Sequence, residues 1–278
     1  MNWVFLGDSL TEGVGSKRIS YVTELVTQIR SAQRDVNVHE LRLRYVDPLS
    51  FNRDIEVNLA GKLDVETKQY SSDLWLWNLA CEGRTIETDL AWLPLISTLR
   101  PELVVIFRGS LESIIRPAAL HDGTWPWWVP ASWRGYAAMD PRCYFSTTWW
   151  RKAKQQAFDT TRQRMRLNLL SRNSGKPLME LELLKEHLTD LLQRLQALET
   201  RVLVLGLLPV DERQFPNSPA YFASVNTKLK EIANSEGAEF CDWGSALKTT
   251  RDELFYRDGF HPNLAGAKAL AEILRSHL

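Results

Sequence analysis

Long apolar stretches are missing from this chain of 278 residues. Its first apolar run covers only residues 3–6, and no window reaches the roughly 18 uninterrupted apolar residues that a membrane-spanning helix needs. That run also lacks the preceding basic stretch of a secretory signal and leads directly into a polar turn. We therefore expect a soluble, cytoplasmic protein without a membrane span, whose fold begins at about residue 2.

Cysteine is scarce, and neither sign of charge is in excess. The three cysteines, Cys81, Cys143 and Cys241, are odd in number and show no C-x-x-C spacing, which predicts reduced thiols rather than disulfides or a metal site. Lysine plus arginine equals aspartate plus glutamate, at 34 each, so no global charge attracts nucleic acid. We expect no metal, no cofactor and no nucleic-acid partner, and any electrostatic recognition must come from a local patch.

Short apolar runs alternate with amphipathic helical patterns along the chain. Such alternation predicts one α/β domain over residues 1–278, a three-layer α/β/α sandwich with a mostly parallel, flavodoxin-like sheet. The strand candidates are residues 2–6, 74–79, 103–107, 202–208 and 238–241, and the helix candidates include residues 18–33, 178–198 and 263–276.

Two stretches interrupt this alternation and are interpreted as insertions. Residues 36–72 partly alternate between apolar and polar positions, which favours an inserted hairpin or extra strands. Residues 114–176, here called the tryptophan-rich segment, are interpreted as a lid-like insertion. Aromatic faces stack well on sugar rings, so one or two of these rings are expected to reach a substrate while the others pack the insertion. The six tryptophans are Trp125, Trp127, Trp128, Trp133, Trp149 and Trp150.

Basic residues cluster in the second half of the tryptophan-rich segment. Residues 151–172 hold seven lysines and arginines against the single acid Asp159, in a helix-like pattern. This stretch is a candidate site for an anionic carrier or acceptor. A solvated helix face explains it equally well, and both interpretations stay open.

Two polar turns far apart in sequence carry the candidate chemistry. Gly7-Asp8-Ser9 follows the first strand, and Asp258-Gly259-Phe260-His261 precedes the last helix. A serine hydroxyl attacks only when a base accepts its proton, histidine suits that task near neutral pH, and a carboxylate can orient the imidazole. In parallel sheets, chemistry gathers beyond the carboxyl ends of the strands, where Ser9, Gly83 and Gly109 are all expected.

Together these blocks resemble the GDSL family of serine hydrolases, the SGNH hydrolases. The resemblance covers about residues 1–33, 73–113 and 200–278 and includes the block Asn78-Leu79-Ala80-Cys81-Glu82-Gly83-Arg84-Thr85. It implies that Ser9 is the nucleophile, His261 the general base and Asp258 its orienting acid. It also implies that the backbone N–H groups of Ser9 and Gly83 form the oxyanion hole.

One block departs from the family pattern. The family has Gly-x-Asn-Asp after its third strand, whereas this chain has Gly109-Ser110-Leu111-Glu112. Leu111 cannot donate the hydrogen bond that the family asparagine gives the oxyanion, a loss that typically lowers the rate by about 10²–10³. A two-donor hole, or replacement by Arg108, Ser110 or a residue of the lid, are the open alternatives.

The first interpretation is therefore a serine hydrolase that cleaves an O-acyl ester of a carbohydrate or secondary metabolite through an acyl-enzyme on Ser9. A second is an acyltransferase with the same chemistry, because a lid that excludes water favours transfer. A third, motivated by Leu111, is a binding protein that keeps the fold with impaired turnover.

Overall fold

The computed structural model describes residues 1–14, 19–32, 38–42, 73–135, 138–172, 175–247 and 251–278. Within them, six strands form one parallel sheet: β1 (Asn2–Gly7), β2 (Val38–Arg42), β3 (Leu74–Asn78), β4 (Leu103–Phe107), β5 (Arg201–Leu205) and β6 (Glu239–Cys241). Their order across the sheet is β2-β3-β1-β4-β5-β6. The predicted α/β fold with a parallel sheet is confirmed.

The central strands are apolar because both of their faces are covered. Every residue of β3 (LWLWN) and of β4 (LVVIF) is buried. Such continuous runs are typical of parallel strands between two helical layers, since no side of the pleat faces water. Val4 of β1 lies opposite Val104 of β4 and Trp77 of β3, which places the apolar centre of the sheet at this register.

Helices cover the sheet on both sides. The helices Tyr21–Ala32 and Leu264–Arg275 pack together in one layer, while Ile86–Ala91, Leu181–Gln196 and Ser218–Ser235 pack together in the other. The described helices are α1 (Ser9–Glu12), α2 (Tyr21–Ala32), α3 (Ile86–Ala91), α4 (Leu93–Leu99), α5 (Ser110–Ser113), α6 (Ala119–Asp122), α7 (Trp149–Arg172), α8 (Leu181–Gln196), α9 (Ser218–Ser235), α10 (Trp243–Ala246), α11 (Arg251–Leu254) and α12 (Leu264–Arg275).

The stretch 36–72 contributes an edge strand. Residues 38–42 form β2, which pairs in parallel with β3 from Val38 opposite Leu74 to Arg42 opposite Asn78. This pairing agrees with the extra-strand alternative rather than the hairpin for these five residues. Residues 43–72 lie outside the described residues.

The tryptophan-rich segment leaves the sandwich and returns at one point. Near its two ends, Arg116 and Lys176 form an antiparallel bridge, with N–H···O distances of 2.9 and 2.8 Å. Between them lie α6, a 3-10 turn (Ala131–Trp133) and the long helix α7. Adjacent ends are what an insertion into another fold requires, while its role as a lid stays a prediction.

No helix among the described residues combines the length and the hydropathy of a membrane span.

Candidate active site

The turn after β1 presents Ser9 at the first residue of α1. A Cβ on Gly7 would lie 2.1 Å from Oγ1 of Thr11, so only glycine allows this close approach. The carboxylate of Asp8 accepts a hydrogen bond from the N–H of Leu10 at 2.9 Å and caps the helix. Asp8 therefore stabilises the turn.

The turn before α12 holds the imidazole of His261 through Asp258. One carboxylate oxygen of Asp258 accepts from the backbone N–H groups of Phe260 at 3.0 Å and of His261 at 3.1 Å. The other oxygen lies 2.7 Å from Nδ1 of His261, so the ring donates there. Asp258 is 1% exposed, and its two oxygens thus fix the tautomer and the orientation of the ring.

The two turns meet beyond the carboxyl end of β1. Oγ of Ser9 lies 3.0 Å from Nε2 of His261, although 252 positions separate them in sequence. Ser9 exposes only 6% of its surface, yet it lines an open cavity together with Gly83 and His261. The hydroxyl is therefore both hydrogen-bonded to a base and accessible from solvent. The structure brings together the three side chains that the sequence singled out.

Two backbone N–H groups are free to bind an oxyanion at this cavity. Neither the N–H of Ser9 nor that of Gly83 donates to another described residue. Gly83 has a φ of +72°, a left-handed conformation that glycine adopts without strain. Leu111 lines the same cavity with an apolar side chain, so the position of the family asparagine offers no donor.

Two of the proposed replacements for that asparagine lie elsewhere. The guanidinium of Arg108 is buried and donates to both carboxylate oxygens of Asp89 at 2.6 Å, and to the carbonyl of Arg84 at 2.6 Å. Ser110 is also buried, at 1% exposure, and neither Arg108 nor Ser110 lines the cavity. Because neither residue lines the cavity, the structure offers neither of them as an oxyanion donor there.

A buried carboxylate joins the loops that carry Gly83 and Leu111. Glu112 accepts from the N–H of Gly109 at 3.1 Å and from the N–H of Ile86 at 2.9 Å. Burial raises the pKa of Glu112 to about 7, although the positive charge of Arg108 opposes this shift. Glu112 therefore joins the two loops through a side chain whose pKa lies near neutral pH.

The opposite wall of the cavity comes from the tryptophan-rich segment. The cavity encloses about 380 Å³ and includes Arg116, Asp140, Arg142 and Cys143 of that segment. None of the six tryptophans lines it, so the expectation that one or two of these rings reach a substrate is wrong for this cavity. Trp127 and Trp149 are 90% and 80% exposed instead. No motif in the sequence marks the four lining residues, because they belong to no regular pattern.

The helix α7 uses its basic residues in two ways. Arg166 is buried and donates to the carbonyls of Gln214 at 2.7 Å and of Ile115 at 3.3 Å, and Arg162 is half-buried. The remaining basic side chains of residues 151–172, namely Arg151, Lys152, Lys154, Arg164 and Arg172, are exposed. The stretch is therefore not one continuous patch.

Two of the side chains that contact each other at the cavity form, with a nearby cysteine, a group that has the composition of a metal site. The ligand atoms of Cys143, Asp258 and His261 lie within 4.8 Å of one another. Burial and the charge of Asp258 raise the pKa of the Cys143 thiol to about 11. A thiol binds metal as the thiolate, which the raised pKa of Cys143 disfavours. The imidazole of His261 and the carboxylate of Asp258 already bind each other. The arrangement of these three side chains therefore suits a proton relay better than a metal site.

A sequence model of the GDSL-like lipase/acylhydrolase family matches residues 5–269. No curated protein matches the chain significantly in sequence.

Solved structures of low identity share the fold. The acetylxylan esterase Axe2 from Geobacillus stearothermophilus is 14% identical with a TM-score of 0.54, covering 99% of this chain and 92% of its own. A protein from Parabacteroides merdae assigned as a GDSL-like lipase is 13% identical with a TM-score of 0.53, covering 99% and 94%. At this identity the similarity demonstrates the fold alone.

Proposed function

Because the chain belongs to the GDSL-like lipase/acylhydrolase family, we propose that it is a serine esterase that cleaves an O-acyl ester through a covalent intermediate on Ser9. The observation that carries this proposal is the continuous relay from Oγ of Ser9 through His261 to Asp258, with distances of 3.0 and 2.7 Å, at the wall of an open cavity.

In the first half of the reaction, Ser9 attacks the ester carbonyl carbon while Nε2 of His261 takes the hydroxyl proton. The carbonyl oxygen becomes an oxyanion, which the free N–H groups of Ser9 and Gly83 bind. As the tetrahedral intermediate collapses, His261 returns its proton to the departing alkoxide. An alcohol leaves, and the acyl group stays on Oγ of Ser9.

In the second half, a water molecule takes the place of the alcohol. His261 removes a proton from this water as it attacks the acyl carbon, and the Oγ–acyl bond breaks when the proton passes to Ser9. The products are a carboxylic acid and the regenerated enzyme. Asp258 stays ionised throughout, because its role is to orient the imidazole and to stabilise the imidazolium.

We propose an acyl ester of a carbohydrate or secondary metabolite as the substrate. The acetylxylan esterase activity of the structural neighbour Axe2 supports this class, and the cavity of about 380 Å³ has room for more than a simple acetate. Transfer of the acyl group to an alcohol or amine uses the same relay, so acceptor and water compete for one intermediate.

Labelling with a fluorophosphonate probe tests the enzyme directly. We expect stoichiometric labelling of Ser9, lost in Ser9→Ala and strongly slowed in His261→Ala, with both variants folded by circular dichroism. An unlabelled, folded wild-type protein would support the alternative of a binding protein with impaired turnover. Product analysis with and without glycerol or a xylo-oligosaccharide then distinguishes hydrolysis from transfer, since only transfer yields a new ester.

A further inference from the structure

Arginines gather beside the catalytic cavity in excess over acids. Two carboxylates, Asp140 and Asp159, lie within a group of five guanidiniums that come from the tryptophan-rich segment and from the turn before α12. The five are Arg116, Arg142, Arg162, Arg166 and Arg257.

The two carboxylates are shared among four of these arginines. Asp140 lies 2.7 Å from Arg116 and 4.0 Å from Arg166. Burial alone would raise the pKa of Asp140, but the charges of Arg116 and Arg166 outweigh burial and hold it below its ordinary value. Asp159 likewise lies 2.9 Å from Arg257 and 3.8 Å from Arg162. Both acids therefore already pair with arginines.

The guanidinium of Arg142 makes no direct contact with a described acid, although its charge also helps to lower the pKa of Asp140. In the part of the chain that the structure describes, no carboxylate lies within 4 Å of its guanidinium, and the guanidinium donates no hydrogen bond. Arg142 nevertheless lines the same cavity as Ser9 and His261. Five N–H donors thus border the catalytic cavity with no acceptor from the described protein.

The backbone that carries Arg142 is held from both sides. On one side, Asp140 is anchored by Arg116. On the other side, the guanidinium of Arg257 stacks at 3.6 Å on the ring of Phe145 and approaches the carbonyl of Arg142 at 3.5 Å. The backbone from which the exposed Arg142 side chain extends is therefore held in place before a ligand arrives, which lowers the entropy cost of binding one.

We propose that Arg142 forms an anion-binding subsite of the catalytic cavity, so that the preferred esters carry a carboxylate or another anionic oxygen group. This inference rests on the proposed function, because it names the substrate class of the same site. A planar guanidinium binds a carboxylate through two parallel hydrogen bonds, which orients the substrate as well as holding it. Glu82, which also lines the cavity beside Gly83, repels an anion from that side and directs it toward Arg142.

Two pairs of esters, each differing only in charge, test the subsite on either side of the scissile bond. For the acyl side we compare 4-nitrophenyl hemisuccinate with its methyl ester, and for the alcohol side 4-acetoxybenzoate with methyl 4-acetoxybenzoate. We expect the wild-type kcat/KM to favour the anionic member of at least one pair. In Arg142→Gln the anionic-to-neutral ratio of that pair falls by about 10- to 100-fold, the range for a charge-assisted bidentate contact.

Two further variants separate charge from shape and position. Arg142→Lys keeps the charge without the planar fork and should recover only part of the ratio. Arg164→Gln removes an exposed arginine from the same segment and should leave both rates unchanged. If Arg142→Gln lowers the rates of anionic and neutral esters equally, the residue is an oxyanion donor, and the proposal is overturned. Equal wild-type rates within both pairs overturn it as well.

Binding to the folded Ser9→Ala variant, measured by calorimetry, keeps this test independent of turnover. We expect 4-acetoxybenzoate to bind more tightly than its methyl ester, and the additional change Arg142→Gln to remove the difference. Binding without charge preference refutes the subsite even if Ser9 is labelled by a fluorophosphonate. Charge-dependent binding to a protein that neither labels nor turns over supports the subsite while the esterase proposal fails.

Discussion

The sandwich and the tryptophan-rich segment are stabilised in different ways. In the sandwich, the apolar core extends across the whole sheet, and strands such as β4 are completely buried. Among the described residues of the segment, a separate apolar cluster has three buried side chains, Val129, Met139 and Leu169, with Trp125, Trp128, Trp133 and Met165 packed against it. Since hydrophobic stabilisation scales with buried apolar area, this smaller cluster contributes less than the core of the sandwich does.

Arginines take over that role in the segment. Arg162 stacks on Trp133, Arg166 on Phe215 and Arg257 on Phe145, with centroid distances of 6.0, 5.0 and 3.6 Å. Each such contact contributes about 0.5–2 kcal/mol and adds to the ion pairs with Asp140 and Asp159. The comparison teaches that the cavity has one wall fixed by apolar packing and one wall fixed by charge. In our proposals, catalysis takes place at the first wall and recognition of the substrate at the second.

The first prediction compares the loss of activity when one aspartate of each wall, Asp258 or Asp140, is replaced by asparagine. Asp258→Asn should lower kcat/KM for 4-nitrophenyl acetate by about 10⁴-fold, because the amide no longer stabilises the correct tautomer of His261. Asp140→Asn, on the other wall, should lower it by less than about 10-fold, since Asp140 contacts arginines and not the imidazole. Similar losses in both variants would contradict the division of roles.

The next effect concerns stability and compares buried with exposed ion pairs. Asp89→Asn leaves the buried charge of Arg108 uncompensated, and we expect the free energy of unfolding to fall by about 3–5 kcal/mol in urea titrations. Asp190→Asn removes the exposed pair with Arg194, 2.7 Å apart, and is the matched control at about 0.5 kcal/mol or less. A loss below about 1 kcal/mol for Asp89→Asn would show that the buried pair does not stabilise the sandwich.

The third prediction is that the free energy of unfolding depends on pH through the buried side chain of Glu112. The pKa of Glu112 is raised from its ordinary value of 4.5 to about 7, so the folded state keeps this proton to a higher pH than the unfolded state does. The free energy of unfolding should therefore fall by about 1–3 kcal/mol as the pH rises from about 4.5 to about 7.

In Glu112→Gln this contribution to the pH slope should disappear, whereas the exposed control Glu186→Gln should keep the wild-type slope. Urea titrations at several pH values measure both variants. A slope that is the same in wild type and Glu112→Gln would mean that Glu112 does not titrate in this range.

The fourth prediction concerns a hydrogen-bond donor restored at position 111 of the cavity. Leu111→Asn places an amide donor where the cavity now has an apolar side chain, and kcat for a neutral ester should rise by about 10-fold, a fraction of what one oxyanion donor supplies. Leu111→Ala adds space but no donor and should not raise kcat. An equal gain in both variants would attribute it to space rather than to hydrogen bonding.

The smallest effect lies on the surface of the tryptophan-rich segment. Trp127 is 90% exposed, so Trp127→Ala should change the free energy of unfolding by no more than about 0.5 kcal/mol. Trp92 in the sandwich is 1% exposed, so Trp92→Ala should lower the free energy of unfolding by about 3–5 kcal/mol. Thermal unfolding monitored by circular dichroism measures both, and a large loss at Trp127 would reveal packing that its exposure does not suggest.

Local patterns predicted the sandwich well. The apolar run at residues 103–107 is β4, and the amphipathic stretch at 178–198 contains α8, Leu181–Gln196. The stretch 36–72 resisted prediction because partial alternation does not choose between a hairpin and a parallel edge strand. Only pairing with β3 makes residues 38–42 the strand β2.

The candidate site divides in the same way. Ser9, Gly83, Asp258 and His261 could be named in advance because the sequence blocks that contain them resemble the GDSL family pattern. Arg142 could not, because its side chain reaches the cavity through the irregular path of residues 138–145. The six tryptophans drew attention by composition, yet exposure and packing place none of them at the cavity.

The parallel α/β fold could be read from the apolar periodicity of the chain, and the residues of the proposed proton relay could be named because their turn motifs resemble those of the GDSL family. Three features became visible only in the folded protein. Oγ of Ser9 lies 3.0 Å from Nε2 of His261, Arg108 pairs with Asp89, and Arg142 lines the cavity without an ion pair to any described residue. The physical reason is that ion pairing and cavity walls depend on contacts between residues far apart in sequence, where local pattern carries no information.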